Sequence, residues 1–312
     1  MVIPQVLYEE VKHFAQRKRP HALEPVVKKV SSELPGVQAV LFYGSCLQKD
    51  NVFEGLVDLY FLIGSYWRAY RNPLLAVANR LLPPNVFYLE EKVGPRVLRA
   101  KYAVMRLDHF FKATSPRWFH SYFWGRFCQP TALIYSQDYT VEKIVLQALS
   151  QAVLTFLTHA WPMCPPQGRI KTVWLKGLSL SYQAELRPEP KDRLLELWRS
   201  QKDYFLSITK AAAESLPFPV RIQDEVYQAH IPLSFRKRIK YAWSLRIVQG
   251  KCLSVLRLMK AACTFRGGVD YALWKIERHR GLRFEVPQTL RKHPLLALLV
   301  LGWKVIKEGG VR

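Results

Sequence analysis

Two short runs bring together residue types that can handle a nucleotide. QAVLFYGS (38–45) is apolar, reads as a β-strand and closes on Gly44-Ser45. LVDLYFLIG (56–64) reads as a second strand with one carboxylate, Asp58, in its middle. A strand delivering Gly-Ser into a turn lets backbone N–H groups and a hydroxyl approach phosphate oxygens closely. A carboxylate on the next strand can hold Mg²⁺ against the same phosphates. The chemistry implied is transfer at a phosphate. The plainer alternative is an ordinary turn followed by a strand-edge aspartate.

The elements that must position these groups follow from periodicity. Residues 4–18 read as a short amphipathic helix and 74–82 as another. NVFYLE (85–90) and AKYAVMRLD (100–108) read as two more strands. Strands with interposed helices predict an α/β or α+β domain over 1–138. From Tyr139 the spacing turns helical, with a turn-rich break at WPMCPPQGR (161–169). TVWLKGLSLSYQAEL and DRLLELWRSQKDYFLSITKAAAESL each read as a helix, so 139–219 is expected to be a helical domain, with a winged helix as one form. PFPVRIQDEV reads as a linker, and 220–312 as a basic amphipathic C-terminal region.

Gly-Ser followed by an aspartate on the next strand is the pattern of polymerase-beta-like nucleotidyltransferases, although their second carboxylate is Tyr60 here. Further residues narrow the likeness. The chain resembles the mitochondrial-type phosphatidate cytidylyltransferases, the mitochondrial translocator assembly and maintenance family. The resemblance starts at Phe42-Tyr43-Gly44-Ser45 and Asp58-Leu59-Tyr60-Phe61. It continues through Trp67, Asn72-Pro73 and Lys101-Tyr102-Ala103-Val104. It ends with Trp118, Tyr122, Gly125, Arg126 and Pro130, then Leu180-Ser181-Tyr182, Glu185 and Arg187. These matches follow the family's order over roughly residues 40–205. Ala103 and Ala184 stand for family glycines, Gln129 for a lysine and Glu185 for an aspartate. The family's single aspartate at the Asp58 position makes Tyr60 ordinary.

The resemblance implies that CTP and phosphatidic acid are converted to CDP-diacylglycerol and pyrophosphate with Mg²⁺ as cofactor. Asp58 is then the expected metal ligand, and Gly44 and Ser45 hold the triphosphate. Lys101 and Arg126 are candidates for phosphate contacts, Arg as a planar fork and Lys as a point charge. Tyr182, Glu185 and Arg187 join the nucleotide site through the family motif. Asp108 is a second metal candidate that closes a strand, with helix N-capping as its other reading. Tyr122 and Trp118 read as core aromatics, with base stacking as the alternative. Glu90 and Glu91 read as an exposed strand end, and the eight histidines as packing or surface.

Composition bounds the partners. The 312 residues hold 47 Lys and Arg against 24 Asp and Glu, a formal charge of +23. With 49% apolar residues the chain is too hydrophobic for a disordered tail. No apolar run approaches the roughly 20 residues of a spanning helix. The opening MVIPQVLYEEVKHF predicts no cleaved secretory signal. Five scattered cysteines without C-x-x-C argue against zinc or a disulfide framework. Residues 236–312 carry 18 Lys and Arg against 4 Asp and Glu. In 235–265 the basic residues alternate with long aliphatics, as in helices lying on anionic membranes. PLLALLVLGWK at 294–304 could dip into the headgroups beside Trp303. The expected partners are CTP, phosphatidic acid and an anionic membrane, at a bacterial inner membrane's cytoplasmic face or the mitochondrial matrix side. Nucleic acid is disfavoured, because the tail lacks a stacking platform. A nucleotidyltransferase acting on RNA and a non-catalytic membrane scaffold are the competing readings.

Overall fold

The computed structural model describes residues 2–17, 20–49, 51–185 and 190–264. The fold is mixed α and β, built on a mixed five-stranded sheet. Its strands are β1 (Val37–Tyr43), β2 (Val57–Ile63), β3 (Asn85–Val93), β4 (Arg96–Arg106) and β5 (Thr131–Ser136), in the order β3-β4-β2-β1-β5. β2 and β4 run parallel, and the other neighbours are antiparallel. β2 is central and buried on both faces, which explains its nearly unbroken apolar run. β5, TALIYS, escaped the sequence reading, because six residues with little alternation carry a weak strand signal.

The helices are α1 (Gln5–Gln16), α2 (Glu24–Glu33), α3 (Ser45–Lys49), α4 (Tyr66–Ala69), α5 (Pro73–Leu81), α6 (Leu107–Ala113), α7 (Trp124–Phe127), α8 (Tyr139–Ala160), α9 (Ile170–Gln183), α10 (Lys191–Ser200), α11 (Lys202–Ala212) and α12 (Leu233–Thr264). Strand alternation splits the core between the two sheet faces. Val40, Phe42, Phe61 and Val104 pack on α2 and α5. Leu41, Tyr60, Leu62 and Met105 face the other way, into a core shared with α1, α6, α8, α9 and α11. That second core runs without interruption from the sheet into residues 139–219. α8 has the length and apolarity of a membrane span, but 83% of its most apolar window is buried inside the protein. It is apolar because other elements pack around it.

Two expectations are corrected here. The segment read as one helix from Asp192 breaks at Gln201 into α10 and α11. The segment read as a linker is a hairpin, β7 (Val220–Gln223) and β8 (Val226–Ala229), turning at Asp224 with φ 53°. Asp is among the few non-glycine residues that enter this region readily. β8 also pairs with β6 (Gln167–Arg169), giving the order β6-β8-β7. The hairpin therefore belongs with the helices before it, and a boundary at residue 219 would cut a sheet. Strands of four residues are too short to show alternation above chance.

α12 has two faces of different character. Ile239, Trp243, Arg246 and Gly250 recur at helical spacing and are buried against the protein. Trp243 donates its indole N–H to the His159 carbonyl, and Arg246 donates to that of Phe119. Arg236 donates to the Pro162 and Cys164 carbonyls. A Cβ at Gly250 would lie 2.4 Å from the Ala184 carbonyl oxygen, so glycine permits the closest approach to the end of α9. Several of the basic residues read as a rim for a membrane thus point inward onto main-chain carbonyls. The tail beyond residue 264, including PLLALLVLGWK, lies outside the described residues.

Candidate active site

Register builds the site. Tyr43 pairs with Asp58 across β1 and β2, and Asp58 pairs with Lys101 across β2 and β4. Paired residues share a sheet face, so three side chains stand side by side. The Lys101 ammonium lies 2.8 Å from Asp58 Oδ1, with side chains 34% and 20% exposed. The neighbouring carboxylate pushes Lys101 above the usual lysine range, more than burial pushes it down. Burial, reinforced by Asp58, raises the Tyr43 phenol.

Gly44 follows at φ 86° and turns the chain into α3. A Cβ there would sit 2.8 Å from Asp58 Oδ2. The position therefore needs glycine twice, for its backbone conformation and for room beside the carboxylate. Ser45 opens α3 and lines the same cleft.

The opposite wall comes from the segment around α7 and the end of α9. Arg126 Nη2 donates to Glu185 Oε1 at 3.0 Å. Its guanidinium also stacks 4.1 Å above the Tyr122 ring. Arg257 of α12 covers the same ring, with its guanidinium carbon 4.3 Å from the centroid. Two cations thus lie over the Tyr122 ring. Burial raises its phenol, but Arg126 and Arg257 outweigh burial and hold it below the usual phenol range. Tyr182 donates to Gln129 Oε1 at 3.3 Å, and the Gln129 amide donates to the Gly125 carbonyl. Gly125 is itself tightly enclosed, since a Cβ there would meet Ser181 Oγ at 2.1 Å.

These walls enclose a cleft of about 1110 Å³. Gly44, Ser45, Asp58, Lys101, Arg126, Tyr182 and Glu185 all line it, although they are spread over most of the first 185 residues. Arg187 lies outside the described residues. Asp108 is a correction. It follows the far end of β4, where Arg106 pairs with Ile63 rather than Asp58. Five residues of strand put that end roughly 16 Å from Lys101. Asp108 instead pairs with Arg106 at 2.5 Å and accepts the His109 N–H at the start of α6. Its other reading, the N-cap, falls on Arg106 instead; Asp108 is an acidic residue inside the first turn of α6.

Tyr122, read as a core aromatic with base stacking as the alternative, lines the cleft. Sequence reading missed two further contributions to the site. Arg257 arrives from the far end of the chain. Asp192 and Glu196, on one face of α10, add carboxylates to the cleft, as does Glu54. The spacing of Asp192 and Glu196 was a visible signal; nothing local marked Arg257.

Among the described residues no cluster of three His, Cys, Asp or Glu could alone hold a metal ion. Magnesium is usually held by one or two carboxylates, with waters and substrate phosphates completing its shell. Asp58, open to a polar cleft, fits that role together with a nucleotide. No protein-family model matches the chain, and no curated protein matches it.

Proposed function

We propose that the protein is a phosphatidate cytidylyltransferase. One observation carries the reading: Gly44-Ser45, Asp58, Lys101, Arg126, Tyr182 and Glu185 converge on one cleft. Their identities follow the family pattern, and their roles follow from their chemistry. The mixed sheet with Gly-Ser at the end of β1 and Asp58 on β2 supports a nucleotidyltransferase domain. The series α8, β6, α9 to α11 and hairpin β7–β8, in sheet order β6-β8-β7, supports a winged-helix-like second unit.

In the reaction, an oxygen of the lipid phosphate attacks the α-phosphorus of CTP. The new P–O bond forms as the bond from the α-phosphorus to the α,β-bridging oxygen breaks, and pyrophosphate leaves. Gly44 and Ser45 approach the triphosphate. Asp58 would hold Mg²⁺, which when bound neutralises charge on the leaving pyrophosphate. Lys101 compensates Asp58 in the free protein and is placed to move onto a phosphate oxygen. Arg126, fixed by Glu185 and Tyr122, offers a planar fork to a second phosphate. The attacking phosphate is largely ionised near neutral pH and needs little help from a base.

The outer face of α12 supports access to a lipid. Tyr241, Leu245, Val248, Val255, Leu256 and Met259 recur at helical spacing and are exposed. Lys237, Arg238, Lys240 and Lys251 are also exposed on this helix, which has no carboxylate. Such a face suits the plane of an anionic bilayer. A polynucleotide fits less well, because the basic residues of α12 are accompanied by exposed aliphatics rather than by a platform of stacking aromatics.

The test is transfer of label from α-labelled CTP into the lipid phase with phosphatidic acid vesicles and Mg²⁺. Metal-dependent label in lipid is expected. No label with a range of phosphorylated lipids and all four nucleotides overturns the reading. Gly44→Ala should cost at least about tenfold in CTP affinity, because strain and contact act together at one residue. Equilibrium binding checks it, and the fold should persist in circular dichroism.

A further inference from the structure

A second exposed apolar patch lies on the sheet domain, far in sequence from α12. Leu74, Val77 and Leu81 form one stripe along the outer face of α5, and are 74%, 40% and 78% exposed. Trp67 on α4, which packs against α5, is 55% exposed. The inner face of α5 is satisfied, with Leu75, Ala76 and Asn79 buried. Two long aliphatics and an indole left in water on such short helices need an explanation, since monomeric proteins seldom expose contiguous apolar surface.

The surrounding charge says what kind of partner fits. Arg68, Arg71 and Arg80 are exposed on the same stretch, and no carboxylate occurs between Asp58 and Glu90. Arginines with an interfacial indole and leucines match an anionic lipid surface. A contact between two copies of this chain would set these arginines against each other unless carboxylates answered them.

The patch is also tied to α12. Arg257 and Lys260 donate to the carbonyls of Leu82, Pro83 and Pro84, directly after Leu81. The same stretch of α12 turns Val255, Leu256 and Met259 outward. The chain just beyond one exposed stripe is thus hydrogen-bonded to the helix that carries the other.

We infer that the Trp67–Leu81 face is a second docking surface for an anionic bilayer, acting beside α12. Two apolar stripes from separate parts of the chain, held near each other by these bonds, would give a bilayer two points of contact. A single helix can roll on a membrane, whereas two such stripes fix how the sheet domain stands on it. This extends the lipid-surface reading above and does not depend on the transfer reaction.

The experiment uses the full chain with Leu74→Asp and Leu81→Asp combined. Vesicles of phosphatidylcholine, alone or with phosphatidylglycerol, avoid a contribution from a phosphatidic acid headgroup held in the cleft. Wild type should sediment with the anionic vesicles, and the double variant should bind at least about tenfold more weakly. Its thermal midpoint should be unchanged. Brominated lipid should quench wild-type fluorescence more than that of Trp67→Phe. Unchanged binding by the double variant, or no binding by wild type, overturns the inference. A lowered thermal midpoint or altered oligomer size with intact vesicle binding also overturns it, and assigns the patch to residues 265–312 or to a second copy. Transfer to a short-chain, water-soluble phosphatidic acid should be unaffected in the double variant. Its absence in wild type would fault the proposed reaction and leave the docking surface standing.

Discussion

Asp58→Asn is expected to reduce transfer by at least about a thousandfold, a loss of roughly 4 kcal/mol of transition-state stabilisation. The argument rests on what the carboxylate touches. It stands between Tyr43 and Lys101 in one row of the sheet, with its second oxygen turned toward Gly44. An amide keeps the shape but carries no charge for a cation. It also leaves the Lys101 ammonium without its partner, 2.8 Å away in wild type. Removing one member of a buried pair is costly, but Lys101 is 34% exposed to the cleft, so about 1–2 kcal/mol of stability is the discounted figure. The two consequences can be separated. Asp58→Asn combined with Lys101→Met removes both charges and should recover most of the thermal midpoint without recovering transfer. Recovery of transfer in the double variant would mean that Asp58 serves only to neutralise Lys101. Mg²⁺-dependent CTP binding supplies a readout apart from turnover, and should lose its metal dependence in both variants.

The sequence showed those parts of the site whose signals are local. Gly44-Ser45 at the end of an apolar run and Asp58 inside another were visible because a polar residue in a buried strand stands out. The partnership of Asp58 with Lys101 was not visible, because it depends on the register of β2 against β4, strands separated by a helix pair and β3. The same register took Asp108 away from the site, although both ends of β4 looked alike as strand termini. Long helices were legible from their spacing. The hairpin at 220–229 was not, since four-residue strands offer two inward positions each. α12 misled for a different reason. An amphipathic helix is read as one apolar and one polar face, but here the protein-facing side contains Arg246 and Arg257 with Trp243. Arginines that saturate main-chain carbonyls look, in sequence, like arginines waiting for a membrane.

That inward face leads to the second large effect. Arg257→Met is expected to lower kcat for transfer by about thirtyfold, the equivalent of one desolvated cation–π contact of about 2 kcal/mol. Arg257 touches no reacting atom in this scheme; it is a positioning residue. Its guanidinium lies over the Tyr122 ring, as that of Arg126 does, and donates to the Pro83 carbonyl. Tyr122 therefore backs Arg126, and Glu185 fixes it from the side. Without Arg257 the ring has space to move, and Arg126 loses one of its two supports. The loss should fall on kcat more than on the KM for CTP, because Lys101, Gly44 and Ser45 still hold the nucleotide. Arg257→Lys should restore part of the rate, since it returns the charge but not the planar stack. A short-chain, water-soluble phosphatidic acid is the substrate of choice, so that membrane binding by α12 does not enter. An optical readout separates positioning from general loss of structure. Arg126 and Arg257 together hold the Tyr122 phenol below its ordinary range. Removing one cation must raise it, so the tyrosinate absorbance step that Tyr122→Phe removes should move to higher pH in Arg257→Met. A variant that loses only thermal stability, with kcat and that step unchanged, would make Arg257 a strut for α12 and nothing more.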